Sequence, residues 1–161
     1  DASQKKILLE MQFVIEAAAP ANTAPRQFLS PTPLHVVVDH ELGENKKWLS
    51  DENASALTDG PDVLWTRILP LVSPIISQMV EKGRHLARKR SKPIIATARK
   101  SARQSMGETV SRLEALYRVN PAIVDQDIVD AKRTRDAVLA AVDKARVRLD
   151  ALRLVVTGKM G

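Results

Sequence analysis

A chain of 161 residues, 44% of them hydrophobic, can bury a real core, but two Trp, two Phe and one Tyr leave that core to aliphatic side chains. The absence of cysteine excludes disulfides and thiolate metal sites, and no apolar run approaches a membrane span. The net charge of +6 is segregated: residues 1–60 hold five basic and nine acidic side chains, residues 61–118 twelve and four, residues 119–161 eight and six. Such asymmetry points to partners of opposite charge. The first residues, DASQKK, are polar and form no signal peptide, and without an initiator Met the chain reads as trimmed or as a piece of a longer protein.

The first third reads as β. Leu9, Met11, Phe13 and Ile15 alternate with Glu10, Gln12, Val14 and Glu16, the period of a half-buried strand over residues 6–16. AAAPANTAPRQFLSPTP follows, and its prolines at 20, 25, 31 and 33 argue against regular structure. Residues 34–42 form a second strand candidate, turned by Gly43-Glu44-Asn45. LSDENASALTDGP reads as loop or a short helix.

From Pro61 the period becomes helical. Val72, Ile75, Ile76, Met79, Val80, Gly83 and Leu86 lie on one face, with a kink or late start expected at Pro70 and Pro74 and a break or bend at Pro93. Ile94, Ile95, Ala98, Ala102, Met106, Val110, Leu113 and Leu116 continue as a long stripe that Asn120-Pro121 stops. Asp125 is the expected N-cap of the next helix, with Asp127 in its first turn. Val138, Leu139, Val142, Ala145, Leu149 and Leu152 then predict a helix to residue 152, while periodicity leaves 153–158 open between helix and strand. The two long helices are expected to pair as an antiparallel hairpin turning near Pro121 rather than as a coiled-coil dimer, since Thr97, Lys100 and Arg135 interrupt the candidate seams.

SRLEALY at 111–117 returns as VRLDALR at 147–153. No third copy exists, and a repeat array needs about three. The local reading is a shared helix recipe, with Leu at i and i+3 facing the core.

VIEAAAP, RQFLSPTPLHVVVD, SRLEALYRVNPAI and RLDALRLVV occur in this order. Together they resemble the C-terminal domain of the RapA (HepA) family, bacterial RNA polymerase-associated ATPases of the Swi2/Snf2 type. The resemblance runs from about Ile7 to Val156, and RLEAL-x-x-VNP and RLDALRL carry it most specifically. It implies a single domain, 1–161, from a larger cytoplasmic, helicase-like protein that promotes polymerase recycling by ATP hydrolysis on nucleic acid. It implies core RNA polymerase and the motor domains of the parent chain as partners, and places the catalytic motor elsewhere. No family catalytic residue carries over to this chain.

The residues agree on their own terms. A P-loop needs Gly-x4-Gly-Lys-Ser/Thr, so that backbone amides and a lysine can cradle phosphates. The only Gly-Lys pair, Gly158-Lys159, is followed by Met160. Asp39-His40-Glu41-Leu42 is not an acidic helicase box. His35 and His40, five apart on a strand, point to opposite faces, and His85 lies among cations, so no metal site is expected. Asp39 and Glu41 share a strand face, where solvated edge carboxylates are commoner than a catalytic pair. Ser30, His35 and Asp39 lack the elbow and oxyanion donors of a triad. No cofactor is expected.

The loudest feature is KGRHLARKRSKPIIATARKSAR at 82–103, in which nine of twenty-two residues are Lys or Arg and none is acidic. On a helix Arg84, Arg88 and Lys92 stack at four-residue steps, as do Arg99 and Arg103; Lys89, Arg90 and Lys100 complete the candidate partner or nucleic-acid surface. It could be a solvated face, a face paired with the acidic first third, a track for phosphates of DNA or RNA, or a dock for an acidic protein. Without interleaved aromatics, sequence-specific reading is not expected. The sequence thus predicts an α+β fold: a small antiparallel sheet from the N-terminal third packed on two or three long helices that include an antiparallel hairpin. Its expected role is a non-catalytic interaction and regulatory module, with an auxiliary nucleic-acid surface as the alternative.

Overall fold

The structure is a computed structural model that describes residues 6–19, 24–49 and 57–157. Its elements in chain order are β1 (Lys6–Glu16), a short helix α1 (Pro25–Phe28), β2 (Thr32–Asp39), a 3-10 turn (Lys46–Leu49), a long helix α2 (Asp62–Tyr117), α3 (Asp125–Asp143) and β3 (Arg146–Thr157). The chain divides into two compact units, one of Asp1–Val14, Pro33–Lys89 and Arg148–Gly161, the other of Ile15–Thr32 and Arg90–Val147. The fold is α+β, with an antiparallel three-stranded sheet in the order β2-β1-β3.

β1 is central, and its alternation is as the sequence predicts: Leu9, Met11, Phe13 and Ile15 are all buried. In the first unit Leu8, on the opposite face, joins Val37 and Val155 in a cluster that Trp48 and Leu57 partly cover. Val37 comes from β2 and Val155 from β3, so this cluster ties both outer strands to the central one. Gly83 of α2 lies against Met11 and Phe13; a Cβ there would sit 2.6 Å from Met11 Sδ. The missing side chain lets the helix backbone approach the sheet.

β2 begins and ends earlier than the sequence suggests, and its turn is Asp39–Gly43. The Asp39 carboxylate accepts the N–H groups of Glu41 and Gly43 at 3.0 and 2.8 Å. Leu42 takes a left-handed φ of 64°, which costs a non-glycine residue about 1 kcal/mol. The turn returns the chain so that Asn45 N–H reaches the Val37 carbonyl. Asp39 therefore works as a turn cap.

Three expectations are corrected. First, α2 is one helix through Pro70, Pro74 and Pro93, so it neither starts late nor breaks at a proline. All three prolines are exposed, so the carbonyls they leave without a donor face water and the helix continues. Second, the proline-rich segment contains one helical turn, α1, with Pro25 at its start, where a missing N–H is harmless; Pro20 lies outside the described residues. Third, α3 stops at Asp143, and residues 146–157, including VRLDALR, form strand β3. Leu152, expected in the core, is 54% exposed. Arg153 Nε donates to Glu10 at 3.0 Å, and the Thr157 hydroxyl meets the Lys6 carbonyl at 3.5 Å. Both contacts keep one antiparallel register between β3 and β1.

The second unit holds the predicted antiparallel hairpin, made of the later part of α2 and α3. Asn120 closes the connection: its side chain accepts the Ala122 N–H at 3.0 Å and its carbonyl the Ile123 N–H at 3.1 Å. The N-cap is Val124 rather than Asp125, whose backbone is already helical. Asp127 reaches back to the Val124 N–H at 2.9 Å, the acidic half of a capping box. Lys132 meets Glu114 at 2.8 Å and Arg99 meets Asp143 at 2.8 Å, two ties along the hairpin. Ala18 N–H bonds the Ala141 carbonyl at 3.1 Å and α1 packs on α3, so the segment after β1 closes this unit.

Candidate functional site

The cationic stretch falls entirely on α2. Its inward positions are small or medium-sized: Gly83, Ala87, Ser91, Ala98 and Ala102 are buried. They recur at four- and seven-residue steps, which leaves the charged positions between them on the outer side of the helix. In the first unit Arg84, Arg88 and Lys89 are exposed, and Arg84 makes a 3.8 Å contact with Glu81 one turn away. In the second unit Lys92, Lys100 and Arg103 are exposed, while Arg90 and Arg99 are half-buried. Arg99 binds a carboxylate of another element, Asp143, at 2.8 Å. No partner from the acidic first third joins Lys89, Lys92, Lys100 or Arg103 among the described residues.

The histidines do not converge. His35 is exposed on β2, His40 follows Asp39 in the turn, and His85 is exposed on α2. No group of three metal-ligating side chains comes together among the described residues. Nor is any described helix long and apolar enough to cross a membrane. The second unit has an open groove of about 510 Å³ lined by Phe28, Leu29, Pro93, Ile94 and Ala98, with Thr97 and Ser101 beside them. Thr97 Oγ1 is committed to the Pro93 carbonyl at 2.9 Å. The lining carries no titratable side chain, so the groove offers shape and apolar surface rather than a general acid or base.

The sequence reading missed a second surface. At the hairpin turn Leu116, Tyr117, Val119 and Val124 are 40, 43, 78 and 52% exposed. Leu116 belongs to the predicted core stripe, and the structure corrects this: the stripe reaches the end of the helix, where the partner helix has not yet begun to cover it. The signal available in the sequence was the apolar content of LYRVNPAIV, high for a polar-solvated turn. Tyr117 donates to Asp125, which raises its pKa above the ordinary tyrosine value, chiefly through that hydrogen bond and the carboxylate charge. This links the last residue of α2 to the first of α3.

Comparison with known proteins decides the family. Residues 1–157 match the RNA polymerase recycling family C-terminal model. The chain belongs to that family. The RNA polymerase-associated protein RapA of Sodalis glossinidius (strain morsitans) is 32% identical over 151 residues, covering 93% of this chain and 16% of that protein. RapA proteins of two Haemophilus influenzae strains, PittEE and ATCC 51907, are each 30% identical over 164 residues, covering 95% of this chain and 17% of theirs. The chain thus spans about a sixth of the length of these relatives. The resemblance read from SRLEALYRVNPAI and RLDALRLVV is borne out at family level.

Proposed function

We propose that this chain is the non-catalytic interaction module of a cytoplasmic, ATP-dependent RNA polymerase recycling factor, and that it docks on core RNA polymerase through the turn of its helical hairpin. The exposed cluster Leu116, Tyr117, Val119 and Val124 carries this reading. An exposed apolar patch at the end of two helices suits the buried centre of a protein interface, where aromatic and aliphatic anchors concentrate. The name of the relatives, RNA polymerase-associated protein, supports polymerase as the partner. ATP hydrolysis belongs, in this reading, to motor domains of the parent chain, which are the second protein surface this module can meet.

The test is co-elution of the labelled chain with core RNA polymerase at physiological salt after nuclease treatment. We expect co-elution with the native chain and its loss with Val119→Asp. Val119 is 78% exposed, so this change leaves the fold intact. Absence of co-elution by the native chain, with binding to the parent motor domains instead, overturns polymerase docking and turns the module inward.

A further inference from the structure

Charge is unevenly distributed within the second unit. Its segments 90–107 and 138–147 hold seven Lys or Arg and one carboxylate, Asp143. Its segment 108–137 holds five Lys or Arg and six carboxylates. The single carboxylate of the cationic part is taken by Arg99 at 2.8 Å. Lys92, Lys100 and Arg103 on α2, and Lys144 and Arg146 just past Asp143, are all exposed. None of these five has a carboxylate partner among the described residues.

We propose that these five side chains form a sequence-independent binding surface for the phosphate backbone of a nucleic-acid duplex. Lys92 and Arg103 are three turns apart on one side of α2, a rise of about 16 Å. Lys100 flanks that line, and the Arg99–Asp143 pair ties the start of the Lys144–Arg146 segment to it. A duplex presents one phosphate charge per about 1.7 Å of axis, so such a line meets several phosphates at once. The surface carries no aromatic side chain for stacking on unpaired bases, which favours a duplex over a single strand. A lone acidic peptide would satisfy the charge but leaves the extent of the line unused. This surface is separate from the apolar turn, so the inference does not depend on polymerase docking.

The test uses the 161-residue chain and two mixed-sequence DNA duplexes in fluorescence anisotropy across a salt series. Equal affinity for both duplexes is expected, with log affinity falling by about 0.9 per phosphate contact against log salt, a slope of about −4 to −5 for five side chains on phosphates. Lys92→Gln with Lys100→Gln should weaken binding at low salt by about tenfold or more, flatten the slope by nearly two, and leave the melting temperature unchanged. Retention of full affinity by that variant overturns the proposal, as does preference for one duplex. No duplex binding, with binding to polyglutamate instead, also overturns it and assigns the surface to an acidic protein. Polymerase co-elution after nuclease treatment reads the hairpin turn, so the two readings fail separately.

Discussion

Gly83 of α2 faces Met11 of β1 so closely that a Cβ would come within 2.6 Å of the Met11 sulfur. Met11 is 0% exposed, so its side chain has no solvent to yield into. Gly83→Ala therefore sets two effects against each other. Replacing glycine in a helix gains about 1 kcal/mol, while overpacking a core costs about 1–3 kcal/mol. The flexible thioether moderates the cost for one methyl group. We expect a net loss of about 1 kcal/mol for Gly83→Ala and roughly 3 kcal/mol for Gly83→Leu in urea melts. Met11→Ala alone should cost about 2–5 kcal/mol. The double variant Gly83→Ala/Met11→Ala should fall short of the sum by more than about 0.5 kcal/mol. Additive losses would mean that the two residues do not share this contact.

The single tyrosine of the chain makes the hairpin turn directly observable. Tyr117 donates to Asp125, and its pKa is raised. A raised pKa stabilises the fold while the phenol is protonated, and this contribution is lost as pH rises through the folded value. Ultraviolet titration should show ionisation above pH 10, and Asp125→Asn should bring it down towards the ordinary value. Tyr117→Phe should remove the alkaline loss without changing stability at higher pH. A tyrosine that titrates identically with and without Asp125 would contradict the contact.

At the acid end the sign reverses. Lys132 bonds Glu114 and holds its carboxyl below the ordinary glutamate value of 4.5. A depressed pKa gives stability that is present above the unfolded value and lost as pH falls through the folded one. Both side chains are more than 40% exposed, so the pair contributes little and is screened by salt. Glu114→Gln should lower the melting temperature slightly at neutral pH. The difference from the native chain should vanish as pH falls through the folded value and shrink in high salt. A difference that persists in acid would assign the effect to packing instead.

The two near-copies show what was legible and what was not. Arg112-Leu113-Glu114 and Arg148-Leu149-Asp150 share a pattern but not a conformation. In the helix a residue two positions on points elsewhere, so Glu114 turns from Arg112 to Lys132. In the strand the same spacing shares a face, and Arg148 binds Asp150 at 2.8 Å. Local propensity favours a helix for both, but the open side of β1 offers a full row of backbone partners to the second copy. Val147, Val155, Val156 and Thr157 around it suit a pleated surface, and long-range pairing overrides the local preference. The alternation in β1 was readable because its even positions are mostly polar. The cationic positions on α2 were readable because nothing acidic interrupts them. The apolar turn was not, because Leu116 continues a core pattern beyond the point where a partner covers it.

The strand assignment separates two residues that a helix would treat alike. Val155 is 5% exposed and packs with Leu8 and Val37, whereas Leu152 is 54% exposed. Removing two buried methyl groups costs about 0.8 kcal/mol each in transfer, with a further term for the cavity. Val155→Ala should therefore cost about 1.5–3 kcal/mol in urea melts, and Leu152→Ala less than about 0.5 kcal/mol. In a helix ending at residue 152 the order would reverse, with Leu152 buried on the stripe of Leu149 and Val155 beyond the helix end. Amide exchange gives an independent reading. Amides of 147–157 paired with β1 should be protected in an alternating pattern, since every second N–H of an edge strand faces away from its neighbour. Continuous protection over 144–152 would restore the helix and remove the β1 partner that explains why the second copy unwound.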